Sequence, residues 1–296
     1  MTLSTTAELL RDAVHANSGI AALNVITLEQ VEAVLAAAEE VGRPVIVQLS
    51  QNAVAFHGGD PAPLLRATTA IIEASTARAS VHLDHSTSLE LCRIAAAEGA
   101  SSVMFDASEL EFEANVAATA NAADWAHDAG VLLEAELGAI GGKQGAHTPG
   151  VRTDPREARE FVARTGVDAL AVAVGSEHAQ QVRETRLDLE LIAALHGAVP
   201  VPLVLHGSSG VPDEQIAQAV CRGITKVNVG TALNVAFTGR LRAHLAEHPA
   251  QSDPRPGVRS ARTAMAEIAS ALLRTVDVSG DPQRALVGTA REGEAR

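Results

Sequence analysis

Short apolar runs, most of them rich in β-branched residues, alternate with amphipathic stretches along this chain. The runs fall at 21–25, 44–49, 79–83, 102–105, 131–135, 169–174, 202–205 and 225–229. Each is followed by a stretch with apolar positions at helical spacing: 28–41, 61–75, 88–98, 111–128, 154–165, 188–196, 212–222 and 231–246. The run lengths suit strands buried on both faces. Strand starts recur every 23 to 38 residues, room for one crossover helix each. Eight such units without a break in composition predict a closed (β/α)8 TIM barrel, one domain over 1–296, with extra helices at 4–15 and 258–276. No Gly-x-Gly-x-x-Gly follows the first run, which disfavours a dinucleotide-binding sheet.

Local punctuation agrees. Asp154-Pro155 supplies a cap and a first-turn proline, and Gly99, Gly130 and Gly166 fall where helices should stop. One connection stands out: residues 138–150 carry five glycines in 13 positions, after the fifth strand. A long Gly-rich segment at that end of a barrel is expected to be an active-site loop.

Composition narrows the class. Apolar residues make up 47%, aromatics only 2%, so Ala, Val, Leu and Ile must fill the core. A net charge of −13 argues against nucleic acid or an anionic membrane as partner. A phosphorylated substrate would need a local pocket. Cys92 and Cys221 lie in helical stretches without metal-type spacing, as thiols of a reducing compartment would. No apolar run has transmembrane length, and residues 1–16 lack a signal-peptide core, so a cytoplasmic location is expected.

Three of the eleven histidines sit at or just past a predicted strand end: His85, His178 and His206. Active-site residues of such barrels converge there. Three neutral imidazoles with an open position form a pattern for catalytic Zn²⁺. His82 competes for the role but lies within its strand, and His147 on the Gly-rich segment stays open. Asp84, Asp106, Glu134 and Glu136 bring carboxylates to the same rim. Strand alternation points Asp84 and His85 differently, one toward metal and the other toward acid/base work. His206-Gly-Ser-Ser-Gly210 and Asn228-Val-Gly-Thr231 follow strands seven and eight, the usual phosphate position of such barrels.

These segments, together with Ala22-Leu-Asn24, Val45-Ile-Val-Gln-Leu-Ser50, Val81-His-Leu-Asp-His85, Glu134-Ala-Glu-Leu-Gly138, Lys226-Val-Asn-Val229 and Asp253-Pro-Arg255, resemble the class II, zinc-dependent ketose-bisphosphate aldolases. They span most of the chain in the family's order. The resemblance implies reversible aldol cleavage of a phosphorylated ketose, such as fructose or tagatose 1,6-bisphosphate, to dihydroxyacetone phosphate and an aldehyde. It implies His85, His178 and His206 as zinc ligands and Asp84 as the acid/base. Glu136 is implied as an acid near the metal, with Asp106 and Glu134 its neighbours, and Asn228 as a substrate-holding residue. Gly207, Ser209 and Thr231 match a phosphate cradle. Asn24 is implied in substrate binding, Ser50 and Arg255 at the distal phosphate, with Arg255 reaching from a partner subunit of a homodimer or homotetramer. Lys226 is read as structural or electrostatic.

The chain departs from the family pattern at four places. Lys143-Gln144-Gly145 replaces loop acids after the glycine pair. Ala179 replaces a glycine that helps bind phosphate and a monovalent cation, Na⁺ or K⁺. Gly230 stands where Asp is common, and Gly-Ser-Ser-Gly replaces Gly-Gly-Ser or Gly-Ala-Ser. An isomerase or aldolase for another sugar, and a non-catalytic sugar-phosphate binder, remain as alternatives.

Overall fold

The computed structural model describes residues 2–138, 152–177 and 182–279. The chain opens with α1 (Thr6–His15), β1 (Ile20–Asn24), α2 (Leu28–Val41), β2 (Val45–Ser50), α3 (Gln51–Phe56) and α4 (Ala62–Ala74). It continues through β3 (Ala79–Ser86), α5 (Leu89–Ala97), β4 (Ser102–Phe105), α6 (Phe112–Asp128), β5 (Leu132–Leu137) and α7 (Pro155–Thr165). Next come β6 (Ala169–Val172), α8 (Leu189–Ala198), β7 (Leu203–Leu205), α9 (Asp213–Cys221), β8 (Ile224–Val229), α10 (Thr231–Glu247) and α11 (Arg255–Val276). The eight strands are parallel, and β8 pairs with β1, closing the expected barrel.

Two apolar cores follow from strand alternation. Outward-facing Val, Leu and Ala of the strands meet the helices in one large cluster. Inside the barrel, Ile20, Ala22, Ile46, Met104 and Val204 form a second cluster that includes Leu9, Leu10 and Ala13 of α1. The first helix therefore plugs the floor of the barrel; Ser4 donates its backbone N–H to Ala79 O at the start of β3. Burying Leu9 and Leu10 there contributes on the order of 1.5–3 kcal/mol each. Above this layer the interior turns polar, with Gln48, His82, Ser102, Glu134 and Lys226 all buried.

The elements match the expected ones with local differences. Asp154 caps α7 by accepting from the amides of Arg156 and Glu157, and Gly166 ends it in a left-handed conformation. The short helix α3 was not expected. Ser50 starts it by accepting from Ala53 N at 3.1 Å. β6 stops two residues early. There the Ala173 amide donates to Thr153 Oγ1 at 2.8 Å, while that hydroxyl donates to Leu137 O at 2.6 Å, so one side chain ties off two strand ends.

Candidate metal centre and active site

β3 runs on past Leu83 with a register shift against β4 between Leu83 and Ser86. His85 sits at that irregularity with φ 51°, a left-handed conformation rare for a non-glycine residue. Simple strand alternation therefore does not separate Asp84 from His85. The bulge turns both side chains to the barrel mouth, where donor atoms of Asp84, His85 and His206 lie within 4.8 Å of one another.

His85 Nε2 and His206 Nδ1 face each other at 2.8 Å. The other nitrogen of each ring is held by a carboxylate. His85 Nδ1 meets Asp106 Oδ2 at 3.0 Å, and His206 Nε2 meets Glu134 Oε1 at 2.9 Å. Glu136 Oε2 stands 3.9 Å from His85 Nδ1. Two convergent imidazole nitrogens, each backed by a carboxylate, suit a divalent cation: the carboxylates orient the rings and leave the facing lone pairs to the ion. His178 lies outside the described residues, as do Ala179, His147, Gly141-Gly142 and Lys143-Gln144-Gly145.

Asp84 is gripped from two sides. Asn24 Nδ2 donates to its Oδ2 at 2.8 Å, and Asn228 Nδ2 lies 3.3 Å from its Oδ1. Gln48 Nε2 in turn donates to Asn24 Oδ1 at 3.1 Å, fixing which way that amide points. Asn228 Nδ2 also lies 3.2 Å from His206 Nε2, and Asn228 Oδ1 is buried without a hydrogen-bond partner. A buried orphan acceptor beside the His206 imidazole is costly to leave unmade and fits a place where a ligand donates.

Charge follows burial and neighbours. Burial works against the Asp84 carboxylate, but His85, His206 and Lys226 outweigh it and hold the group below the usual carboxylate range. Glu134 is likewise depressed: burial opposes its charge, and Lys226 with the His206 hydrogen bond prevails. Burial and then His85 push the His206 imidazolium down to about 4, so the ring is neutral near pH 7. Burial and the Lys226 charge push His82 to about 3.

At β7 and β8, Gly207 adopts φ 67°, and a Cβ there would lie 2.7–2.9 Å from the Glu177 backbone. Ser208–Gly210 form a short 3-10 turn, and Ser209 Oγ accepts from Ala232 N at 3.1 Å. α10 begins at Thr231 after Gly230, which supplies no capping side chain, so the first-turn amide of Ala232 is taken by Ser209 instead. Ser50 ends β2 opposite Asp84 in register. Arg255 makes no hydrogen bond with this group among the described residues. Its side chain is 82% exposed and forks onto Asp253 at 2.7 Å, beside a surface depression shared with Glu29, Val258, Arg259 and Arg262.

Gln48 and Lys226 have a larger place here than the sequence reading gave them. Their signal was a polar residue breaking an otherwise apolar strand buried on both faces.

The sequence model of class-II fructose-bisphosphate aldolase matches residues 4–281. A fructose-bisphosphate aldolase of Geobacillus stearothermophilus is 37% identical over 284 residues, covering 95% of this chain and 99% of that one. The crystal structure of the YdjI aldolase from Escherichia coli K12 superposes with a TM-score of 0.81 at 33% identity, over 94% of this chain and 98% of that one. The fructose-bisphosphate aldolase structure from Campylobacter jejuni shares the fold, with a TM-score of 0.78 at 24% identity, over 93% of this chain and 95% of that one. A barrel whose mouth gathers two carboxylate-backed imidazoles and a twice-gripped aspartate thus belongs, with its whole matched length, to the class II fructose-bisphosphate aldolase family, and the chain is a carbon–carbon lyase that works with a divalent metal.

Proposed function

We propose that this aldolase reversibly cleaves a phosphorylated ketose, fructose or tagatose 1,6-bisphosphate or a related sugar phosphate, to dihydroxyacetone phosphate or an analogue and an aldehyde, with zinc as its metal. The observation that carries this reading is the meeting of His85 Nε2 and His206 Nδ1 beside the Asp84 carboxylate. His85 and His206 would hold the ion, with His178 as the third ligand. Bound there, the ion supplies Lewis acidity, polarising the ketose carbonyl and offsetting the charge that develops on its oxygen.

The chain's own residues do the rest. Asp84, ionised and fixed by Asn24 and Asn228, takes the proton of the C4 hydroxyl as the C3–C4 bond breaks and the aldehyde departs. Asn228 orients the substrate near its carbonyl through its unpartnered Oδ1, which accepts from a substrate hydroxyl. A proton must return to C3. Glu136, beside His85 and on the same rim, is the acid for that step, since Lys143-Gln144 stands where relatives carry loop acids. Asp106 and Glu134 orient the two imidazoles.

The first phosphate binds at the start of α10 with Gly207, Ser209 and Thr231, a helix N-terminus whose cap residue, Gly230, brings no side chain to compete with an anion. Ser50 serves the distal phosphate. Arg255, exposed on its own subunit, serves the same phosphate of a neighbouring subunit in a homodimer or homotetramer.

A retro-aldol assay on zinc-loaded protein with fructose and tagatose 1,6-bisphosphates and a deoxy-keto-sugar-acid phosphate tests the reading. Cleavage of one substrate that disappears with a chelator and returns with Zn²⁺ is the expected result. Silence across the panel with zinc bound would overturn it.

A further inference from the structure

Beneath the metal centre lies Lys226, fully buried in the middle of β8. An ammonium group can only donate hydrogen bonds, and an ionised carboxylate can only accept them. Lys226 Nζ donates to Glu134 Oε2 at 2.6 Å and lies 3.4 Å from His82 Nε2. Those two contacts fix the hydrogens of everything attached to them.

On one side, Glu134 Oε1 must accept from His206 Nε2 at 2.9 Å, so that nitrogen carries the hydrogen. His206 Nδ1 then keeps its lone pair, the one facing His85 Nε2. On the other side, His82 Nε2 accepts from Lys226, so His82 Nδ1 carries the hydrogen and donates to Ser102 Oγ at 2.7 Å. Ser102 Oγ donates to Thr6 Oγ1 at 2.6 Å, and the Thr6 hydroxyl lies 2.9 Å from Ser80 Oγ and 3.2 Å from Ser101 Oγ, two acceptors for its one hydrogen. A continuous polar column thus runs from the metal centre to the helix that plugs the barrel floor: above Lys226 the His206 hydrogen points down onto Glu134, and below it the hydrogens of Lys226, His82 and Ser102 point away from Glu134.

We propose that Lys226 is a positioning residue: its one-way donation sets the His82 tautomer, and by holding Glu134 Oε2 it aims Oε1 at the His206 Nε2–H, so that the opposite His206 nitrogen is offered to the metal. It touches neither substrate nor metal. The His206 half rests on the reading of that residue as a ligand; the His82 half does not. A lysine that merely fills space and balances Glu134 would leave the His82 tautomer unconstrained.

The test is a long-range proton–nitrogen spectrum of the imidazoles in ¹⁵N-labelled full-length protein, metal-free and zinc-loaded. Wild type should show His82 as the Nδ1–H form and His206 as the Nε2–H form. Lys226→Met keeps the volume without the donor. Lys226→Met/Glu134→Gln removes both charges and serves if the single variant does not fold. In the folded variant His82 should lose its single Nδ1–H signature, and zinc affinity should fall roughly 10–100-fold. The opposite tautomer at either histidine in wild type, or unchanged tautomers in the folded variant, would overturn the proposal. Correct tautomers in a protein whose His206 binds no zinc would instead sink the metal reading and leave the role of Lys226 standing.

Discussion

Asn24 donates its side-chain amide to Asp84 Oδ2 at 2.8 Å, reaching from β1 to β3 across the barrel mouth. With Asn228 on the other oxygen, the carboxylate is aimed before any substrate arrives. Such preorganisation costs nothing at the moment of reaction. Asp84→Ala should therefore abolish turnover, a loss on the order of 10²–10⁴-fold for a general base. Asn24→Ala should lower kcat by less, because Asn228 still holds one oxygen. Both variants should keep their zinc. Metal analysis alongside kcat decides the matter, and an Asp84→Ala protein that turns over normally would remove Asp84 from the chemistry.

Metal retention should grade with distance from the ion. His206→Ala removes a ligand and should lose the tightly held zinc. Asp106→Asn leaves His85 in place but weakens its orienting contact, and should cost roughly 10–100-fold in affinity. Competition with a chromophoric chelator measures both, and stoichiometric, tight zinc in His206→Ala would exclude that residue as a ligand.

The strand positions, the helix stops and the places of His85 and His206 at strand ends were legible in the sequence, because continuous apolar runs and helical patterns are set by which side chains must leave water. The convergence of Asp84 with His85 was not. It depends on a bulge and one left-handed residue, neither of which alters the apolar pattern of β3. Gln48 and Lys226 were hidden for a related reason. Their strands still read as buried, and only closure of the barrel shows that the buried polar atoms meet one another.

Stability of the metal-free protein should fall as pH drops below about 6.5, the ordinary histidine value. His82 and His206 titrate in the folded state at about 3 and about 4. Between those values and 6.5 the unfolded chain binds more protons, so stability rises with pH and is lost on acidification. Each histidine contributes a slope of about 1.4 kcal/mol per pH unit inside its window. Urea unfolding at pH 7, 6 and 5 should show it. His82→Gln should flatten the slope, and an unchanged slope would mean that His82 is not held neutral.

Gly207→Ala places a methyl 2.7–2.9 Å from the Glu177 backbone in a left-handed conformation. Backbone cannot swing aside as a flexible side chain can, so the segment between β7 and α9 must shift. A destabilisation of about 1–3 kcal/mol is expected, with KM raised for phosphorylated substrates. Melting temperature and KM together test this; a variant with both unchanged would show that the 3-10 turn tolerates displacement.

The pairing of β1 with β8 has a kinetic consequence. Ala22 sits opposite Asn228, and Gly19 N donates to Val276 O at 2.9 Å, so the first strand of the barrel shares one seam with β8 and α11. During synthesis that seam cannot form until β8 and α11 have been translated. Until then β1 presents an unpaired edge, and the polar column and Asp84 lack the residues of β8 that complete them. Closing so long a loop is slow, and competence for catalysis is therefore acquired in one late event rather than accumulated strand by strand.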